Sequence, residues 1–306
     1  MKDKLRSKSI QSAILRCDRD RDRLALRILS PEALRTREES GFLYYGDPGY
    51  EFTRLTPPDR FHLDADAPED RPFAGQTELI LIDLSVPDEQ SLLRQQSSLD
   101  ENERQRWQRL RQALHQRRFL AAHLALRHCL ATVCDTRPEQ LRLVVGEFGK
   151  PALDGNHAPF FNLSHSGDWA LLAIGPQPVG VDIEALIARP SERLARQVLN
   201  EDEFAQWSAL AEAQRSPALT AAWTAREALL KADGGGLRWD LQRARLPSQL
   251  PGWAEIRDQQ HPWWLQTLSA PEGYSACLAT AAPSEVPMRR FDWGKLRPEL
   301  DASTGP

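Results

Sequence analysis

Glu227 and Lys231 stand four residues apart in the stretch Trp223-Thr224-Ala225-Arg226-Glu227-Ala228-Leu229-Leu230-Lys231. On a helix, Trp223, Glu227 and Lys231 fall on roughly one face, so a carboxylate and an ammonium share a surface beside an aromatic ring. Taken alone, the trio also reads as a solvated ion pair beside a core tryptophan. Upstream, Gly180-Val181-Asp182-Ile183-Glu184 alternates apolar and acidic residues. Read as a strand, it puts Asp182 and Glu184 on the same face. Neighbouring carboxylates repel, and burying them together costs stability unless a cation or donor lies between them. A hard divalent ion such as Mg²⁺ suits the arrangement, because it prefers oxygen and is commonly held by one or two carboxylates plus substrate phosphates. Glu227 could complete that set.

The elements that must position these groups can be read from the chain. Ser216-Pro217 predicts the start of the helix that carries Glu227, and Gly234-Gly235-Gly236 its end. The run 77–84 reads as a buried strand, and residues 100–134 as an arginine-rich pair of amphipathic helices. Leu141–Val145 is a further strand candidate. Trp169–Ile174 and Val179–Ile183 predict two strands joined by Gly175-Pro176-Gln177-Pro178 in a hairpin-like connection. Pro190-Ser191 opens a helix to about 199, and Asn200 with Glu203 caps the next, over 201–212. Strands are expected at Trp253–Ile256, Trp263–Leu268 and Tyr274–Ala279. This order predicts an α+β fold rather than alternating βαβ units. No internal repeat is evident in the sequence.

Residues 1–76 read as an N-terminal extension, partly disordered, with alternating charge at Arg19-Asp20-Arg21-Asp22-Arg23 and a Pro-, Asp- and Arg-rich stretch over 57–72. Residues 77–170 and 171–284 are read as two halves, and 285–306 as a tail that frays. The 306 residues carry a net charge of −4, so no overall basic field points to nucleic acid or an acidic membrane. The arginines of 100–134 are not interleaved with aromatics as a stacking surface would need. No apolar run approaches a membrane span, and no signal-peptide pattern is expected at the N-terminus. The four cysteines show no metal-ligand spacing and read as reduced thiols, in keeping with the cytoplasm.

The pair G-V-D-I-E and W-T-A-R-E-A-L-L-K resembles the signature of the 4′-phosphopantetheinyl transferases, of the larger type that activates surfactin synthetase. Gly149-Lys150-Pro151 matches the family's G-K-P turn, Asn162-Leu163-Ser164-His165-Ser166 its N-[IL]-S-H-S segment, and Gly234-Gly235-Gly236-Leu237 its glycine-leucine loop. The resemblance implies two similar halves related by a pseudo-twofold axis. Each would hold a small antiparallel sheet packed on helices, with the nucleotide in the cleft between them. It implies a monomeric enzyme that moves phosphopantetheine from coenzyme A to a serine of an apo acyl or peptidyl carrier protein. Such carriers serve fatty acid, polyketide or nonribosomal peptide assembly.

Mg²⁺ would rest on Asp182, Glu184 and Glu227. Glu227 would act as base, ligand or both, with Lys231 reaching the same phosphates. Coenzyme A would meet Arg106, Arg118, Lys150, Pro151, Ser164, His165 and Lys231. Arg226 stands where the family has lysine, which leaves it a charge-stabilising or carrier-facing role. At His123 family members often have arginine, and no role is carried over there. A rival reading is a non-catalytic coenzyme A or carrier-protein binding protein of the same fold.

Overall fold

The computed structural model describes residues 76–296, apart from 147, 156–157, 236–240, 258 and 260. Residues 1–75 of the extension, residue 237 and the end of the tail lie outside this set. The elements in chain order are β1 (Glu78–Asp83), α1 (Glu89–Arg94), α2 (Glu101–Arg109), α3 (Ala113–Val133), β2 (Leu143–Val145), β3 (Pro151–Leu153), β4 (Phe160–Ser166), β5 (Trp169–Gly175) and β6 (Val179–Ala185). They continue with α4 (Glu192–Val198), α5 (Glu201–Ala209), α6 (Glu212–Asp233), β7 (Ala244–Arg245), β8 (Gly252–Ile256), β9 (Trp263–Thr267), β10 (Tyr274–Thr280) and β11 (Met288–Arg290).

One sheet has the order β11-β1-β5-β4, and a second the order β6-β10-β9-β8-β7. Leaving β11 aside, each sheet begins with the first strand of its half and lays the last strand against it, antiparallel. The apolar run of β1 is explained by burial on both faces. Ile80 and Ile82 pack with Leu120 and Leu124 of α3. Leu79 and Leu81 pack with Val181, Ile183 and Leu278 of the second sheet. On the far side of that sheet lies α6, and Gly180 is what lets it approach. A Cβ there would stand 2.1 Å from the Ala228 carbonyl oxygen and 2.3 Å from the Ala232 nitrogen.

β4 and β6 are the facing edges of the two sheets, and side chains rather than a backbone ladder join them. Asn162 Oδ1, Ser164 Oγ and Ser166 Oγ accept from the N–H groups of Val181, Ile183 and Ala185 at 2.8, 3.4 and 3.2 Å. Each pair is 19 residues apart in the chain, so the two strands run parallel in fixed register. The N-x-S-x-S spacing is the period of a strand face, and it satisfies edge amides that would otherwise be unpaired.

Several expectations need correction. β5 and β6 do not form a hairpin, because the chain leaves one sheet after Gly175 and enters the other at Val179. A division after residue 170 would cut β5. The helix bearing Glu227 begins at Glu212, with Pro217 inside it. Its opening turn is tied to α5 by Trp207 Nε1 donating to the Arg215 carbonyl at 2.9 Å, and by Arg215 donating to the Ser208 and Leu210 carbonyls. These ties offset the hydrogen bond that proline removes.

The tail is ordered as far as residue 296. β11 pairs parallel with β1, Phe291 is buried, and Trp293 Nε1 donates to the Asp83 carbonyl at 2.8 Å. No helix among the described residues is long and apolar enough to cross a membrane.

Candidate active site

The face of β6 that looks at α6 carries Asp182, which is 1% exposed. Its Oδ1 accepts from Ser164 Oγ at 2.7 Å and from Lys231 Nζ at 2.6 Å. Lys231 Nζ also donates to Ser164 Oγ at 3.0 Å. Ser164 therefore gives its one proton to Asp182 and accepts from Lys231 and the Ile183 amide, which fills its capacity. Asp182 Oδ2 is buried without a partner, and so is Oε1 of Glu227, one turn before Lys231.

Burial pushes the Glu227 carboxyl up to about 7 against the pull of Lys231, and the Asp182 charge adds to the rise. Burial and then Asp182 push Glu184 up to about 8, opposed by the Ser166 hydroxyl and Lys231. Burial works against the Lys231 ammonium, but Asp182 and Glu227 outweigh it and raise its pKa. Glu184 and Glu227 thus share one ammonium with the Asp182 charge, and both respond by holding their protons more tightly.

No group of three or more His, Cys, Asp or Glu side chains among the described residues is drawn together closely enough to cage an ion. The expected three-carboxylate set is not closed, and Lys231 takes the Asp182 oxygen instead. The donor chemistry still fits Mg²⁺. Two orphaned, buried carboxylate oxygens and two carboxyls with raised pKa mark a place short of positive charge.

Beside this acidic pocket lies its opposite. His165 is half-buried, and burial brings its pKa down to about 4, helped by the charges of His123, Lys231, Arg106 and Arg118. Arg118 Nε and Nη2 donate to Asp168 Oδ1 at 2.9 and 2.7 Å. The Arg106 guanidinium lies over the Phe119 ring, 5.5 Å from its centroid. His123 stacks on the same ring and holds Glu103 Oε1 at 2.7 Å through Nδ1. A neutral imidazole ringed by cations invites an anion, whose charge would favour every one of them.

Lys150 turns its ammonium to the carbonyls of Lys231, Ala232 and Val179, and burial brings its pKa down to about 8. Pro151 opens β3 and pairs with Val145. Arg226 is 1% exposed, with Nη2 on Glu203 Oε2 at 2.6 Å and Nη1 on the Ala222 carbonyl at 3.2 Å. Buried against Glu203 of α5, Arg226 offers no exposed surface to a carrier, which corrects the carrier-facing expectation.

Sequence reading did not foresee His123 stacked on Phe119 or Asp168 paired with Arg118. It also missed a repeat. Leu99, Asp100, Glu103 and Trp107 recur as Leu199, Asn200, Glu203 and Trp207. In both places the polar cap and the glutamate close a capping box, and an arginine of the following long helix takes the glutamate. The shared L-[DN]-x-x-E-x-x-x-W spacing was the signal that could have shown it.

The profile of the 4′-phosphopantetheinyl transferase superfamily matches residues 178–281, and that of a 4′-phosphopantetheinyl transferase N-terminal region matches 86–177. The 4′-phosphopantetheinyl transferase AcpT of Salmonella typhimurium is 39% identical over 134 residues, which are 42% of this chain and 68% of that protein. The chain belongs to the 4′-phosphopantetheinyl transferase superfamily. The 4′-phosphopantetheinyl transferase Sfp of Bacillus subtilis is 25% identical over 169 residues, covering 54% of this chain and 75% of Sfp. The protein slr0495 of Synechocystis sp. is 34% identical over 152 residues, 48% of this chain. The match spans 62% of slr0495, just under two thirds of its length. The two transferase profiles meet in the turn between β5 and β6, where the chain changes sheets. Arg106, Arg118 and His165 fall in the first, and Asp182, Glu184, Glu227 and Lys231 in the second.

Proposed function

We propose that the protein transfers 4′-phosphopantetheine from coenzyme A to a serine of an apo acyl or peptidyl carrier protein. Adenosine 3′,5′-bisphosphate is the second product. The observation that supports this best is the adjacency of the acidic pocket to the cation-ringed His165, with Lys231 acting on both. A phosphate-rich substrate bridging a metal and several cations needs that division of charge.

Asp182 and Glu184, with Glu227 where it can reach, would hold Mg²⁺, which supplies neutralisation of the charge on the pyrophosphate. Arg106, Arg118 and His165 bind and orient the phosphates, and Ser164 holds Asp182 and Lys231 beside them. Glu227, its pKa raised, takes the proton as the carrier serine oxygen bonds to the phosphorus that bears pantetheine. The bond from that phosphorus to the oxygen of the adenosine bisphosphate breaks. Lys231 stays charged and meets the negative charge left on the departing group. The buried Asp182–Lys231–Ser164 contact across the β4–β6 seam keeps these groups in place.

In this reading the two halves are related by a pseudo-twofold axis, with the nucleotide in the cleft between them. The enzyme is of the larger, surfactin-synthetase-activating type and acts as a monomer in the cytoplasm. Intact-mass measurement tests the activity. An apo carrier incubated with the protein, coenzyme A and Mg²⁺ gains one phosphopantetheine, and EDTA abolishes the gain. No mass shift across a broad panel of acyl and peptidyl carriers would overturn it.

A further inference from the structure

Lys150 belongs to the first half of the chain, in the turn before β3, yet its ammonium ends in the second half. Nζ donates to the Lys231 carbonyl at 2.6 Å, the Val179 carbonyl at 3.1 Å and the Ala232 carbonyl at 3.3 Å. Those three acceptors use all three of its N–H donors. Lys231 and Ala232 lie in the last turn of α6, whose final carbonyls have no partner within the helix. The Gly234 amide takes only the Leu230 carbonyl. A positive charge at this end also complements the helix dipole, and the charge of Asp233 favours it further. The aliphatic stem runs past Gly234, whose Cβ position lies 3.6 Å from Lys150 Cδ.

One ammonium therefore fixes the end of α6 against the start of β6. These two segments carry Lys231 and Asp182, and Gly180 has already brought their backbones into contact between the same two points. The spacing that puts Lys231 Nζ 2.6 Å from Asp182 Oδ1 depends on that alignment. A nucleotide contact by the Lys150 ammonium would require it to give up three buried hydrogen bonds and leave helix-end carbonyls unsatisfied.

We propose that Lys150 is a positioning residue for the transfer, holding the backbone of Lys231 in register with β6, and not a ligand of the nucleotide. The proposal rests on the transferase reading for its kinetic arm alone. Lys150→Met keeps the stem and removes the donors, and Lys150→Arg keeps the charge in another geometry.

For Lys150→Met, calorimetric affinity for coenzyme A with Mg²⁺ should stay within about threefold of wild type. Turnover on an apo carrier should fall by about tenfold to a hundredfold, since small misplacements of reacting groups cost that much. Hydrogen exchange over 230–234 should quicken, with Lys150→Arg intermediate in both turnover and exchange. The exchange arm needs no activity, so it decides the clamp even if no carrier is ever modified. Weaker coenzyme A binding with wild-type exchange over 230–234 would overturn the proposal. Should Lys150→Met fail to fold, Lys150→Arg decides the matter by the same split between affinity and turnover.

Discussion

The two capping-box clasps use the same parts and differ in where they end. Glu103 closes the box of α2 and takes Arg127 of α3 at 2.6 Å, while Glu203 closes that of α5 and takes Arg226 of α6 at 2.6 Å. The first clasp goes further. Arg127 also reaches Asp100 at 2.8 Å, and the second oxygen of Glu103 holds His123, which faces the cations around His165. The second stops at the arginine, whose Nε has no partner, with its glutamate side chain 27% exposed against 5% for Glu103. One clasp is thus wired into the anion side of the site. The other only seats a helix, and the proposed chemistry lies on a different face of that helix, at Glu227 and Lys231. A family motif can mix these duties in adjacent letters, since consecutive helical residues point in different directions.

The largest effect should come from the reacting side of α6. Glu227→Gln should lower carrier modification by about 10²- to 10⁴-fold while coenzyme A binding persists. If Glu227 is chiefly the base, added Mg²⁺ leaves the loss in place, whereas a chiefly ligating role is rescued by it. Intact-mass rates over a Mg²⁺ series separate these outcomes, and wild-type turnover would remove Glu227 from the mechanism.

Next in size is Arg127→Met. It strands two carboxylates, one of them buried, and should destabilise the fold by about 3–5 kcal/mol in urea unfolding. The same change at Arg226 should cost about 1–2 kcal/mol, because water can reach Glu203. Equal losses would break the contrast between the clasps.

The first clasp also has a pH signature. Burial disfavours the Glu103 carboxylate, but His123 and Arg127 outweigh it and hold it down to about 2, below its ordinary 4.5. The unfolded chain then binds the proton more readily, so the contribution is present above about pH 4.5 and lost as pH falls toward 2. It amounts to something on the order of 3 kcal/mol. Urea midpoints from pH 7 downward should fall less steeply in Glu103→Gln than in wild type. The smallest effect belongs to Arg226→Lys, which should leave turnover within about twofold. A large gain or loss would mean that this position does touch the reaction.

Where local chemistry decides an element, the sequence was enough. Ser191 and Asn200 cap their helices as their side chains require, Gly234 ends α6 in a left-handed conformation, and alternation along β6 turned Asp182 toward α6. Where distant partners decide, it was not. Gly175–Val179 suits a hairpin as well as a change of sheet, and only the apolar faces on both sides of β1 choose. β11 is three residues with two arginines, invisible until β1 offers an edge. The partners of Lys150 and Arg226 were not legible, because a cation's type does not reveal which carbonyls or carboxylates will claim it. The repeat at 99–107 and 199–207 hid because only the few letters of the clasp are kept.

The rungs between β4 and β6 set a rule about chain length. Their donors and acceptors recur every second residue on both strands, so inserting or deleting one residue in either shifts the phase by half a period. The rungs past the change would then turn away from those before it, and a change placed before Ser164 would set it out of phase with Asp182 and Lys231. A substitution at Asn162 or Ser166 removes one rung at a time and can be survived. Length changes should accumulate in the connections on either side, and the stretch from 160 to 185 should keep its count of residues.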